Sequence, residues 1–273
     1  MEELLKSIIL GLVQGLSEFL PISSSGHLVL FGEILNYQEA GIALEVFVHF
    51  GTLVSVFICF RKDIWEMVRW LPKVPEFILN GMKVRSEEDR YKAMSAYIVI
   101  GSIPAAAAGL LLKDHIETIF TPVVVLFTLS ITALILWSSR FTEENQPFIT
   151  WQQALLIGCV QAFAILPGIS RSGSTIVMAL WMGIQRETAA KFSFLLSIPV
   201  ILGASILQFV DMMAAPPAGS EMISLFAATI AAAVSGYFAI VWLMEVVKRQ
   251  QLEWFALYCA AVSILGGFIY FMQ

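Results

Sequence analysis

The sequence predicts an all-α polytopic membrane protein, with six transmembrane helices plus two re-entrant helical hairpins in an inverted-topology repeat. Three observations carry that prediction. Hydrophobic residues make up 58% of the 273 and charged residues 14%, against about 45–50% and about 25% in soluble domains. The mean hydropathy of +0.81 agrees. Six stretches reach the length a helix needs to cross the hydrocarbon core, while two more apolar regions are broken by Pro, Gly and Ser. With 16 Lys+Arg and 21 Asp+Glu, the chain has too little charge to cover a water-facing shell, so a lipid bilayer must cover it. The same composition excludes a disordered chain, and a net charge of −5 without a basic tract excludes a nucleic-acid partner.

In chain order, the first broken region is 4–35, interrupted at 20–26, and the spans follow at 42–60, 93–112 and 120–139. The second broken region is 151–183, interrupted at 166–173, and spans at 189–210, 223–246 and 254–271 complete one integral membrane domain. Irregular backbone at membrane depth survives only inside protein or beside a watery cavity, so both broken regions read as re-entrant hairpins with buried tips. Glu2 and Glu3 stand where a cleaved signal peptide carries basic residues, which argues against one. Cys59, Cys159 and Cys259 lie in apolar runs without motif spacing and read as small core hydrophobes.

Charge placement orients the chain. The connection 61–92 holds eight of the 16 basic residues and is expected to be cytoplasmic. Arg140, Arg186, Lys191, Lys248 and Arg249 then fall on the same side, with Lys6 and Lys113 outside. This arrangement brings the first hairpin in from the outer face and the second from the cytoplasm. Segment 82–92 reads as a solvated loop, and His115 sits in a short outer loop with no role.

The hairpins resemble each other. Gly11 and Gln14 match Gly158 and Gln161 at an offset of 147, and residues 22–26 match 169–173 at the same offset. Internal similarity with opposite insertion is the pattern of an inverted repeat, here about 1–140 and about 150–273, whose site lies near the midplane. Three differences make that site asymmetric: Glu18 corresponds to Ile165, Ser24 to Arg171 and His27 to Ser174.

Gly11, Gln14, Gly15 and Glu18 share one helix face, and an ionisable residue at such depth points to function. Ser23, Ser24 and Ser25, at the start of a helix after a break, form an anion site, with His27 available as nucleophile, acid or base. Arg171 is the only Lys or Arg at a hairpin tip and requires an anion, either Glu18 or a ligand phosphate. Ser170, Ser172, Ser174 and Thr175 add hydroxyls around it. Glu45 and His49, four apart on a span, either support the site or pack. The chain has no P-loop, no H-E-x-x-H and no G-x-S-x-G. What remains fits a substrate with a phosphate head and an apolar tail.

The run Q-G-L-S-E-F-L-P-I-S-S-S-G-H at 14–27 and P-G-I-S-R-S-G-S-T at 167–175 resemble the two signature segments of undecaprenyl-diphosphate phosphatase, the bacitracin-resistance or BacA/UppP family. The resemblance runs essentially the whole length and includes the F-S-F-L-L run that begins at Phe192. It implies six spanning helices with two re-entrant hairpins. It also implies hydrolysis of the isoprenoid lipid diphosphate to its monophosphate, in the bacterial plasma (inner) membrane with the site facing outward. Carried over by position, Glu18, His27, Ser24 and Arg171 are the expected catalytic residues. Gln14, Ser23, Ser25, Ser170, Ser172, Ser174 and Thr175 are the expected substrate-binding residues. A divalent cation, Mg or Ca, is implied as cofactor. Gln14 is neutral, so a two-carboxylate site with Glu18 is disfavoured and Glu18 alone is the metal candidate. A homodimer is the candidate assembly.

Two competing readings are a flippase for the lipid monophosphate, using the same anion site, and the lipid-phosphatase superfamily marked by S-R-x5-H-x3-D. The second fails at Val177, where His is required.

Overall fold

The computed structural model describes residues 2–35, 41–118, 121–214, 217, 219 and 221–272. Among these residues there are twelve α-helices, two short 3-10 turns and no named strand. In order the helices are α1 (Glu2–Phe19), α2 (Ser24–Ile34), α3 (Gly41–Cys59), α4 (Arg61–Trp70), α5 (Val74–Leu79) and α6 (Glu87–Thr118). They continue as α7 (Pro122–Ser138), α8 (Trp151–Phe163), α9 (Arg171–Trp181), α10 (Arg186–Ala214), α11 (Met222–Lys248) and α12 (Glu253–Met272).

Five helices are long and apolar enough to cross a membrane: Glu87–Leu112, Pro122–Phe141, Arg186–Val210, Met222–Lys248 and Glu253–Tyr270. Ala43–Cys59 joins Arg61–Leu79 at an 81° bend and makes a sixth if the pair counts as one broken span. The chain is thus an all-helical, multi-pass membrane protein. Large apolar side chains such as Leu134, Ile230, Phe238 and Ile264 point outward, where lipid tails rather than water cover them.

The connection at 61–92 is largely helical: α4 and α5 occupy its first part, and α6 begins at Glu87, inside the segment 82–92 that reads as a solvated loop. Ser86 explains where α6 starts. Its Oγ accepts the Asp89 N–H at 3.1 Å, and Asp89 Oδ2 accepts the Arg85 N–H at 3.1 Å. Three acidic residues in that first turn suit the positive end of the helix. At its other end α6 runs past 112 to Thr118, so His115 is helical rather than in a loop. The side chains of Lys113 and His115, residue 120 and part of the 211–221 connection lie outside the described residues.

Packing runs across the two halves. α1 lies along α11, α8 along α6, α3 against both α10 and α11, and α7 against α12. Small residues allow the close crossings. A Cβ on Gly11 would strike the backbone of Ala228, one on Gly15 that of Ala232, and one on Gly158 that of Gly101. Gly236 faces the Phe19 ring one turn further on, so α1 and α11 run parallel and α1 ends near the middle of α11. The basic residues assigned to one side gather at one end. Lys191 pairs with Asp63 at 3.0 Å, Lys248 with Glu187 at 3.5 Å and Arg186 with Glu144 at 2.9 Å.

Candidate active site

Both breaks are stabilised by caps built from equivalent residues. Ser23 caps α2 by accepting the Gly26 N–H at 3.4 Å, and Ser170 caps α9 by accepting the Gly173 N–H at 3.1 Å. A capping hydroxyl satisfies one of the N–H groups that a helix start leaves free. Ser23 does so at φ 70°, a conformation that costs energy for a non-glycine residue and recurs at functional sites. Gly168 has φ 87°, and a Cβ there would also strike Thr128 and the Val125 carbonyl.

Spanning helices hold the irregular backbone of the tips. Thr128 of α7 donates to the Pro167 carbonyl at 2.5 Å. Thr132, one turn on, donates to the Gly168 carbonyl at 2.8 Å and accepts the Ser170 N–H at 3.1 Å. On the other hairpin, Cys259 of α12 donates weakly to the Pro21 carbonyl at 3.8 Å. Of the three cysteines, Cys259 is buried as expected, while Cys59 is half-buried and Cys159 is exposed on α8. The tips touch directly, since Ser172 Oγ donates to the Leu20 carbonyl at 3.4 Å.

Four predicted residues meet in one hydrogen-bonded set. Arg171 Nη2 donates to Glu18 Oε1 at 2.5 Å. Ser24 Oγ and Gln14 Nε2 donate to Glu18 Oε2 at 2.6 and 3.1 Å. The ion-paired side chains are only 14% and 8% exposed, so each charge depends on the other and on these donors to offset lost hydration. The set is nevertheless incomplete. Arg171 Nη1 and Gln14 Oε1 are buried with no hydrogen-bond partner among the described residues, as is Ser174 Oγ. A guanidinium with an unpartnered Nη1 can take phosphate oxygens.

His27 is near this set in sequence but engaged elsewhere. Its Nδ1 lies 2.8 Å from the Ser23 carbonyl, and its Nε2 lies 2.7 Å from the hydroxyl of Tyr258. A carbonyl only accepts, so Nδ1 carries the proton. Tyr258 was not singled out by sequence, and no spacing signal links residues 231 apart.

The remaining candidates divide. Ser25 Oγ lies 3.4 Å from Ser23 Oγ, and Ser170 Oγ lies 3.3 Å from Ser172 Oγ. Thr175 is buried on the α9–α10 seam, with its hydroxyl on the Arg171 carbonyl and Ser193. Glu45 is exposed and accepts from Gln208, and His49 Nδ1 lies 2.7 Å from the Glu45 carbonyl. Gln161, the counterpart of Gln14, has both amide atoms buried without a partner among the described residues.

The donor chemistry does not make a metal cage from protein alone. No group of three His, Cys, Asp or Glu side chains that could hold an ion occurs among the described residues. The unpartnered Gln14 Oε1 beside the Glu18 carboxylate instead offers two oxygens. That fits a cation that takes its remaining ligands from phosphate and water, as Mg²⁺ commonly does.

Comparison with known proteins gives one consistent result. The family model described as "Bacitracin resistance protein BacA" matches residues 7–265. An undecaprenyl-diphosphatase of Methanosphaera stadtmanae is 40% identical over 97% of both chains. One of Halothermothrix orenii is 40% identical over 96% of both chains. Undecaprenyl-diphosphatase 4 of Bacillus cereus is 39% identical over 96% of this chain and 95% of its own.

Proposed function

The chain belongs to the bacitracin resistance protein BacA family, and on that premise we propose that it hydrolyses undecaprenyl diphosphate to undecaprenyl phosphate and inorganic phosphate. The reaction recycles the carrier lipid for peptidoglycan synthesis and thereby confers bacitracin resistance. One observation carries the site assignment: the Arg171–Glu18–Ser24 set lies where the two hairpin tips meet. A carrier for the lipid monophosphate is not favoured, because the relatives are phosphatases.

The inverted repeat belongs to the same proposal. Supporting it, the equivalent glycines Gly11 and Gly158 press on Ala228 and Gly101, which lie 127 residues apart. Thr132 and Cys259 also lie 127 apart and hold the equivalent carbonyls of Gly168 and Pro21. The first hairpin starts at the end opposite the basic cluster. The second starts beside that cluster, where Gln146 bridges to Ile184. That geometry agrees with a plasma-membrane protein whose site opens to the outer face.

In this mechanism Arg171 Nη1 and the Ser23, Ser25, Ser170, Ser172 and Ser174 hydroxyls bind the terminal phosphate. Its negative charge draws the guanidinium partly off Glu18 and leaves that carboxylate free to act as a base. Ser24 Oγ attacks the terminal phosphorus, and its proton passes to Glu18 Oε2, already 2.6 Å away. The bond from phosphorus to the bridging oxygen breaks, and the electron pair leaves with the lipid monophosphate. Water then attacks the phosphoserine. Glu18 returns its proton to the departing Ser24 oxygen, and the proton shed by water goes to His27. Phosphoryl transfer depends mainly on positioning and charge stabilisation, which this set supplies. A divalent cation held by Glu18 and Gln14 Oε1 would neutralise charge on the phosphate oxygens.

Phosphate release from the lipid diphosphate by purified protein in detergent tests the proposal, since a pure carrier releases none. Arg171→Ala and Glu18→Ala are each expected to lower the rate about 100-fold or more. Wild-type rates in both variants would sink the assignment.

A further inference from the structure

We infer that Tyr258 is the positioning residue for His27, fixing its ring and carrying the proton path to its basic nitrogen. The inference rests on the proposed role of His27. Geometry gives two independent contacts. The Tyr258 hydroxyl lies 2.7 Å from His27 Nε2. The two rings also stack with centroids 5.6 Å apart and planes 14° from parallel. Tyr258 belongs to α12 and His27 to the first turn of α2, so one spanning helix of the second half orients a residue of the first hairpin.

The hydrogen-bond chemistry leaves one assignment. The Ser23 carbonyl requires the proton on Nδ1, so neutral His27 has its lone pair on Nε2 and the phenol donates to it. Both ring nitrogens are therefore engaged before substrate binds. Stacking removes rotation of the imidazole about χ2, and the hydroxyl fixes what remains. His27 lies three residues after Ser24, on the same face of α2, so this restraint acts one turn from the proposed nucleophile.

The phenol also supplies the route by which His27 collects a proton. As the Tyr258 hydrogen passes to Nε2, the phenol oxygen takes the proton shed by the attacking water. Tyr258 is unchanged and His27 becomes imidazolium until it releases that proton to solvent. Nothing else is consumed, because hydrolysis of the anhydride releases one proton in any case. A phenylalanine keeps the ring and its stacking but has neither the hydrogen to give nor the oxygen to receive one.

The test is a double-mutant cycle on purified protein, with kcat and KM for phosphate release measured in wild type, Tyr258→Phe, His27→Gln and the double variant. His27→Gln should lower kcat. Tyr258→Phe should lower kcat about threefold to tenfold, the rate equivalent of one net hydrogen bond, with KM unchanged. In the His27→Gln background the same change should cost nothing further, because residues acting as a unit are non-additive. Matching unfolding temperatures for wild type and Tyr258→Phe check that the fold is intact. Wild-type kcat for Tyr258→Phe with His27→Gln impaired overturns the inference alone, as does an equal loss in both backgrounds. Wild-type kcat for His27→Gln overturns the role of His27 and the inference with it.

Discussion

Gly15 is the position where one added carbon should disturb the site most without touching a reacting group. It lies on α1 three residues before Glu18 and one after Gln14, at the crossing with α11. A Cβ there would overlap Ser235 Oγ and the Ala232 carbonyl, and would stand 2.9 Å from the Gly236 nitrogen. The serine can rotate away, but the other two are backbone of a spanning helix. Ordinary carbon contact begins at 3.4 Å, and the Ala232 oxygen would stand at 2.4 Å, so α1 must move by about 1 Å. Overpacking of this kind costs about 1–3 kcal/mol. The same shift moves Glu18 and Gln14 relative to Arg171 on the opposite tip. Misplacement by about 1 Å costs about 100-fold in rate, which predicts a loss of kcat of up to about 100-fold for Gly15→Ala. The assay is phosphate release in detergent, with thermal unfolding followed in parallel. Gly109→Ala is the control, since nothing lies within 4 Å of a Cβ there. Full activity and an unshifted unfolding temperature in Gly15→Ala would refute the reasoning, as would an equal loss in the control.

Thr132→Val removes the hydroxyl that serves the Gly168 carbonyl and the Ser170 N–H, and each buried group left unpaired costs about 1–3 kcal/mol. The variant should unfold at lower denaturant and lose activity, because Arg171 follows directly on that cap; unchanged unfolding would contradict it. Gln14→Glu places a second carboxylate one turn from Glu18, and its expected outcome is a lower magnesium concentration for half-maximal activity. A magnesium titration identical to wild type would remove Gln14 from any cation site.

Much of the fold was legible because a bilayer imposes a length and a composition that short windows of sequence reveal. The long apolar helices, both breaks and the isolated Arg171 all came from that constraint. Glu18 and Arg171 were each identifiable as charges at membrane depth, and their need for a partner pointed to one another across 153 residues. The helical character of 61–92 was harder to read, because a charged amphipathic segment at a membrane surface resembles a solvated loop when only its charges are counted.

The sequence by itself determined that this chain lives in a bilayer, that two interrupted helices carry its polar groups, and which family it resembles. Tertiary structure decided what each polar group touches. It turned Thr175 into a seam between α9 and α10, gave Thr132 and Cys259 the task of holding the tips, and directed His27 to Tyr258. The physical reason is range. Hydropathy and helix periodicity act over a few turns, so they show in sequence. A hydrogen bond between helices depends on rotation, depth and crossing, and packing of the whole bundle sets those.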